Sequence, residues 1–306
     1  AGFQNPAARK LRLPDRLSTF STILIFMKLY KLKSGILAKT GGAFYLLENY
    51  VWDRFVNDDG LYSKIKDLVH SKTPVENGLQ LIENELLPPI ESQEIWASGV
   101  TYFNSKLARQ EEAAAAGGGD FYARVYVADR PELFFKATAH RCIGSGQKVR
   151  IRKDSTWNVP EPELTLLLTS NGKIVGYTIG NDMSSRSIEG ENPLYLPQAK
   201  TYDGCAAIGP GVYVSEWALP GETEICLSIR RDERVVFEEK TSLGQMKRKL
   251  EELVAWLFRE LSFPHGCFLM TGTGIVPPKE FTLLPGDEIR ITIEPIGTLV
   301  NVVEKS

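Results

Sequence analysis

The segment from Val159 to Asp182 constrains this chain more than any other. At its middle is Asn171-Gly172, the strongest short-range hairpin signal, and its flanks read as two paired strands. A two-residue turn at that dipeptide sets Ser170 opposite Lys173, Leu168 opposite Val175, Leu166 opposite Tyr177, Leu164 opposite Ile179 and Glu161 opposite Asp182. Side chains alternate along a strand, so Glu163 shares the face of Glu161 and Asp182 with Thr165, Thr178, Gly176 and Gly180. Leu164, Leu166, Leu168, Val175, Tyr177 and Ile179 take the other face. A three-residue loop would instead shift the register by one and scatter the acids to opposite faces.

Three carboxylates in one patch repel one another unless a cation neutralises them. The candidate ligands are all hard oxygens, with no Cys or His at ligand spacing, which favours Mg²⁺, admits Mn²⁺ or Ca²⁺, and disfavours Zn²⁺. Glu161, Glu163 and Asp182 are therefore the candidate metal ligands, the alternative being a solvated acidic strand end. Pro160 and Pro162 cannot donate to a ladder, which places the two glutamates at an edge or at a strand start open to a ligand.

With 306 residues, 43% hydrophobic and 24% charged, the chain is long enough for one large or two modest domains. A net charge of -2 gives no basic footprint for nucleic acid, and Lys247-Arg248-Lys249 reads as the solvated face of a helix. Cys142, Cys205, Cys226 and Cys267 form no Cys-x-x-Cys pair, as expected of reduced thiols in a cytoplasmic protein. Residues 1–26 carry Arg9, Lys10, Arg12 and Arg16 and read as an extension or mis-assigned start ahead of Met27, with a transit peptide as the alternative. Ile23 to Phe26 is too short to cross a bilayer, which takes about 20 residues.

Residues 27–90 form a small N-terminal unit: a strand-like stretch from Leu29 to Ala38, a Gly41-Gly42 turn, Ala43 to Leu47, and a helical pattern at Leu61, Ile65, Leu68 and Val69. Pro88-Pro89 ends it, and residues 91–306 are mainly β. Their strands are Glu224 to Ile229, Val235 to Phe237, Cys267 to Thr271, Glu288 to Ile293 and Leu299 to Val303. A helix is expected from a Ser242–Gln245 capping box through Met246, Leu250, Leu253, Val254 and Leu257. Ser105 to Ala116 is a second, Ala-rich helical candidate, read as a possible lid or a surface loop.

Five motifs in order carry a family resemblance: Glu161-Pro162-Glu163, Asn181-Asp182-Met183-Ser184-Ser185-Arg186, Ala199-Lys200-Thr201-Tyr202-Asp203, Gly209-Pro210 and Thr271-Gly272-Thr273. Together they resemble the fumarylacetoacetate hydrolase family. Arg130 to Thr138 and Glu191 to Lys200 are similar to its branch of 2-keto-3-deoxy sugar-acid dehydratases, of the 2-keto-3-deoxy-arabinonate type. The resemblance implies an α+β, mainly β fold: a mixed β-sandwich roll behind a small N-terminal α/β domain, assembled as a homodimer or homotetramer.

A 2-keto acid chelating Mg²⁺ beside the triad would have its C3 proton made acidic by an enolate held on the metal, and the C4 hydroxyl would leave as water. A 2-keto-3-deoxy-pentonate would give 2,5-dioxopentanoate. Lys200 is the candidate for acid–base work, or a counter-charge to the three acids. Arg186 suits carboxylate binding, or pairing with an acid behind the site. Glu132 is a candidate C3 base and Lys136 a substrate contact, unless the two form a structural ion pair. Thr273 offers a hydroxyl or amide to substrate, or forms a turn.

Carbon–carbon hydrolases of the family resemble one another in a His-Glu pair on the lid, and this chain has no histidine between Trp96 and Arg124. Its histidines are His70, His140 and His265. Elimination needs no attacking water, so a dehydratase is favoured. A C–C hydrolase or decarboxylase of acylpyruvates, with Glu111 or Glu112 as base, is the alternative, and a catalytically silent binding protein is disfavoured because all three acids remain.

Overall fold

The computed structural model describes residues 26–105 and 124–305. Residues 1–25, and the Ser105–Ala116 helix beyond Ser105 together with Glu111 and Glu112, lie outside the described residues. The strands are β1 (Met27–Leu32), β2 (Gly35–Thr40), β3 (Ala43–Leu47), β4 (Glu94–Gly99), β5 (Glu132–Thr138), β6 (Cys142–Ile143), β7 (Lys148–Ile151), β8 (Asn158–Val159) and β9 (Pro162–Leu168). They continue with β10 (Ile174–Asp182), β11 (Ser184–Ser185), β12 (Ala206–Val214), β13 (Glu224–Arg231), β14 (Arg234–Ser242), β15 (Cys267–Met270), β16 (Glu288–Ile293) and β17 (Gly297–Lys305). A 10-stranded sheet runs β3-β2-β1-β12-β10-β9-β15-β4-β5 with β6 beside β12, and a 5-stranded sheet runs β14-β13-β16-β17-β7. β1 pairs directly with β12, so the N-terminal strands extend the sheet that bears the acids.

β9 sits inside the larger sheet between β10 and β15, and all of its residues are buried, which explains why Leu166, Leu167 and Leu168 are apolar in succession rather than alternating with polar residues. Leu164, Leu166, Leu168, Tyr177 and Ile179 face the second sheet and pack with Ile225, Leu227, Ile229, Ile289, Ile291, Ile293 and Leu299. On the other face Leu167 and Val175 join Phe268 and Met270 with Trp52, Phe55, Leu61 and Ile65 of the helices Trp52–Val56 and Leu61–His70. Each such side chain contributes about 1.5–3 kcal/mol on burial, so the strand holding the acids is anchored from both faces.

The hairpin departs from the expected two-residue turn. Thr169 N donates to Lys173 O at 3.0 Å and Gly172 N to Thr169 O at 2.9 Å, so the loop is Ser170-Asn171-Gly172, with Gly172 at φ +74°. Leu168 consequently pairs with Ile174 rather than Val175. An irregularity between Ile174 and Gly176 then leaves Val175 as an extra residue, and from Tyr177↔Leu166 to Asn181↔Pro162 the expected register is recovered. The bulge also turns Val175 away from Leu164 and Leu166 into the opposite cluster, because Leu167 and Phe268 offer it a buried place there.

Three further expectations are corrected. The stretch Leu29 to Ala38 breaks at the turn Lys33-Ser34 into β1 and β2, with Gly35 opening β2 opposite Leu32 at φ +148°. Ser242 ends β14 rather than capping a helix, since Ser242 and Thr241 pair with Glu224 and Ile225, and Met246 is extended (ψ 129°). The helix begins only at Leu250 and ends at Leu257. Arg248 is buried rather than solvated, because its guanidinium is taken up by backbone carbonyls of residues 125–129. No helix among the described residues is long and apolar enough to cross a membrane, and all four cysteines are free.

Candidate active site

Glu161 stands just before β9, Glu163 within it and Asp182 at the end of β10, and the recovered register brings them together. Asp182 N donates to Glu161 O at 3.0 Å, extending the ladder so that the two residues oppose. One oxygen from each of Glu161, Glu163 and Asp182 lies within 4.8 Å of the others, and all three residues are buried. Gly180, directly opposite Glu163, leaves room beneath them: a Cβ there would fall 2.2 Å from Thr165 Oγ1. Burial, and then the charges of Asp182 and Glu161, push the Glu163 carboxyl well above its ordinary 4.5. A hard divalent cation fits this donor set, since it would relieve the repulsion that raises Glu163.

Two buried lysines flank the triad. Lys200 Nζ lies 2.8 Å from Glu161 Oε2, 3.0 Å from Asp182 Oδ2, 2.5 Å from Ser184 Oγ and 3.5 Å from Glu189 Oε1. Lys136 Nζ reaches Asp182 Oδ1 at 2.5 Å, Met183 O at 2.9 Å and Lys200 O at 2.5 Å. Those three acceptors use the three ammonium protons of Lys136. The sequence offered Glu132 as its partner, but the structure pairs it with Asp182. Glu132 lies on the same face of β5 as Phe134, whose ring is 5.6 Å from Lys200 Nζ, and it packs against Gly99.

Arg186 opens the helix Arg186–Glu191, and its Nη2 donates to Glu161 Oε1 at 2.6 Å. One turn on, Glu189 Oε2 lies 3.6 Å from Arg186 Nε. Thr273 Oγ1 donates to Ile275 O at 3.0 Å and accepts from Ile275 N at 3.1 Å, a local turn. That loop reaches the triad through its neighbour, as Gly272 N donates to Glu163 Oε2 at 2.6 Å. Gly272 is held at φ +93° where a Cβ would lie 2.0 Å from Thr101 Oγ1. His70, His140 and His265 stand elsewhere, beside Lys66 O, Thr138 and Asp53 respectively.

Three residues at the site carried no expectation. Ser184 follows Asp182 by two along an extended chain, an alternation that put its hydroxyl on the acidic face. Glu189 is spaced i,i+3 from Arg186, the separation at which helical charges meet. Tyr102 is buried, its hydroxyl has no hydrogen-bond partner among the described residues, and burial with the charge of Glu163 raises its phenol far above its ordinary 10.0. No local pattern marks Tyr102, because what buries it comes from residues 241–274.

Four buried carboxylates, Glu161, Glu163, Asp182 and Glu189, thus face three buried cations, Lys136, Arg186 and Lys200. One negative charge is in excess. A dication would reverse the balance, and the carboxylate of one bound acid would then restore neutrality.

Residues 95–304 match the family model described as "Fumarylacetoacetate (FAA) hydrolase C-terminal". The chain belongs to the fumarylacetoacetate hydrolase family. Within that family it is 49% identical over 223 residues to a probable 2-keto-3-deoxyxylonate dehydratase of Haloferax volcanii, spanning 72% of this chain and 76% of that one. It is 46% identical over 228 residues to the 2-dehydro-3-deoxy-D-arabinonate dehydratase of Saccharolobus solfataricus, spanning 74% and 76%. Among solved structures, 2-keto-3-deoxy-D-arabinonate dehydratase complexed with magnesium and 2,5-dioxopentanoate superposes with a TM-score of 0.77 at 36% identity, covering 92% of this chain and 99% of that one.

Proposed function

We infer that this protein is a hydro-lyase that dehydrates a 2-keto-3-deoxy sugar acid with Mg²⁺ as cofactor. The observation that carries the reading is the buried Glu161, Glu163 and Asp182 triad, its ligand atoms within 4.8 Å, in a chain whose structural neighbour holds magnesium and 2,5-dioxopentanoate. When bound, the ion supplies Lewis acidity toward the oxygens of a 2-oxo acid. For a pentonate substrate the balance is loss of the C3 proton and the C4 hydroxyl as water, with proton shifts leaving an aldehyde at C5.

The chain's own groups divide this work. Lys200, within 3.5 Å of three carboxylates and 2.5 Å from Ser184 Oγ, is our choice for moving a proton between substrate and protein. Glu132 is the proposed C3 base, on the face of β5 that Phe134 presents to Lys200. Arg186 is proposed to meet the substrate carboxylate while holding Glu161, and Thr273 to line the same wall beside Gly272. Lys136, proposed from sequence as a substrate contact, has its protons committed to Asp182 and two carbonyls, so we assign it to holding Asp182. The Tyr102 hydroxyl, without a partner among the described residues, is proposed as a further donor toward the substrate.

Incubation with Mg²⁺ and a panel of 2-keto-3-deoxy-pentonates, hexonates and acylpyruvates, with products identified by mass, tests the reading. Loss of one water from a sugar acid, abolished by EDTA, supports it. Pyruvate released from an acylpyruvate with sugar acids untouched replaces it with the C–C hydrolase. We further propose a cytoplasmic homodimer or homotetramer serving pentose catabolism. Trp217 and Val235, 69% and 51% exposed, are surface that an interface would cover, and light scattering reads the assembly.

A further inference from the structure

The loop that carries Tyr102 into the site is strained and is held from outside it. Val100 is buried with φ 54°, a left-handed conformation that a β-branched residue adopts only when its surroundings impose it. This kink turns Thr101 toward the triad's support, where Thr101 Oγ1 donates to Thr271 O at 2.7 Å, and it carries Tyr102 against Gly274. Two elements oppose its relaxation. Met246 bridges Tyr102, and Lys247 N donates to Thr101 O at 2.9 Å. Val125 and Tyr126 pack onto the Val100 side chain.

Arg248 takes up three of the backbone carbonyls of residues 125–129. Arg248 Nη2 donates to Val125 O at 3.2 Å and Ala128 O at 2.5 Å, and Nη1 to Asp129 O at 3.1 Å. Glu252 Oε1 receives Nη1 at 2.5 Å, and Lys247 Nζ reaches Tyr126 O. With Glu252 the guanidinium meets four acceptors, one more than the three protons of an ammonium group can serve.

We propose that Arg248 is a positioning residue for turnover: by clamping residues 125–129 onto Val100 it holds the strained turn that fixes Tyr102 beside the metal triad. The inference rests on the dehydratase reading for its choice of substrate. Arg248 touches none of Glu161, Glu163 or Asp182, so its effect passes through Tyr102.

The test is a double-mutant cycle of Arg248→Met with Tyr102→Phe, read as kcat/KM on the 2-keto-3-deoxy-pentonates together with Mg²⁺ affinity and denaturant stability. Arg248→Met is expected to lower kcat/KM by about 10²-fold, the scale of a displacement of about 1 Å, with Mg²⁺ affinity unchanged. In the Tyr102→Phe background the same change has an effect of about twofold or less, and Arg248→Lys does not rescue. Val100→Ala, which leaves Arg248 in place and keeps a Cβ at φ 54° but removes the methyls on which Val125 and Tyr126 pack, is expected to reproduce the kinetic loss and covers the case in which Arg248→Met fails to fold. Effects that multiply independently, or lowered stability with unchanged kinetic constants, overturn the proposal. Should the wild-type protein dehydrate none of these acids, the dehydratase reading falls. The same cycle, read as calorimetric binding of 2,5-dioxopentanoate to the Mg²⁺-loaded protein, then still decides the role of Arg248.

Discussion

Lys136 Nζ meets Asp182 Oδ1 at 2.5 Å with neither side chain reaching solvent. Breaking such a pair strands a buried charge and costs about 3–5 kcal/mol, so Lys136→Met is expected to lose stability on that scale in urea unfolding. A loss under about 1 kcal/mol would mean that Lys200 alone neutralises Asp182.

Lys200 competes with a cation for Glu161 and Asp182. Lys200→Met deepens the negative excess of the site, so Mg²⁺ should bind more tightly, as read by calorimetry, while turnover falls by about 10²–10⁴-fold, the scale of a lost acid–base group. Weaker metal binding would identify Lys200 as a support of the ligands instead.

Mg²⁺ should stabilise the folded chain by about 2.7 kcal/mol at a concentration of 100 Kd. Thermal unfolding with and without EDTA reads this shift. In Glu163→Gln it should vanish along with turnover, whereas the metal-free variant should be no less stable than the wild type, because a carboxylate crowded by Asp182 and Glu161 has been removed.

The hairpin loop is tied to the N-terminal unit by Asp59, whose carboxylate accepts from Thr169 Oγ1 at 2.6 Å and Asn171 Nδ2 at 2.9 Å. These bonds hold it below its ordinary 3.8. The folded value is the lower one, so the stabilisation is complete above 3.8 and is lost as pH falls through the folded value. Asp59→Ala should therefore lower the urea midpoint near neutrality, and the gap to the wild type should shrink below pH 3.8. A gap independent of pH would assign the effect to packing.

Gly180→Ala should damage the floor of the triad, since the new methyl would sit 2.2 Å from Thr165 Oγ1 and 3.1 Å from Met270 Cε. A cost of about 1–3 kcal/mol with weaker Mg²⁺ binding is expected. Wild-type metal affinity would show that the strand yields without moving Glu163.

What the sequence made legible was local. Glu161, Glu163 and Asp182 sit on either side of one hairpin, so alternation and a turn signal sufficed to bring them together, and the motif order carried the family. The turn itself was misread, because Asn-Gly also closes a three-residue loop when Gly takes the left-handed position. The Lys136–Asp182 pair was hidden, as the partners lie 46 residues apart on strands with β9, β15 and β4 between them and no spacing rule linking them. Arg248 misled for a similar reason. A basic triplet reads as a solvated face unless distant carbonyls are known to need donors.

The loop at Asn171-Gly172 and the bulge at Val175 each change the count of residues between Glu161 and Asp182 by one, in ways that cancel at the site. The hairpin therefore obeys a parity rule. Deleting Ser170 alone, or Val175 alone, would throw Asp182 to the far side of the sheet from Glu163 even though every ligand is still present. Deleting both would restore the ligand set on a shorter ribbon. Length variation in this hairpin can be passed down only in pairs, and the apparent defect at Val175 is the second half of an even number.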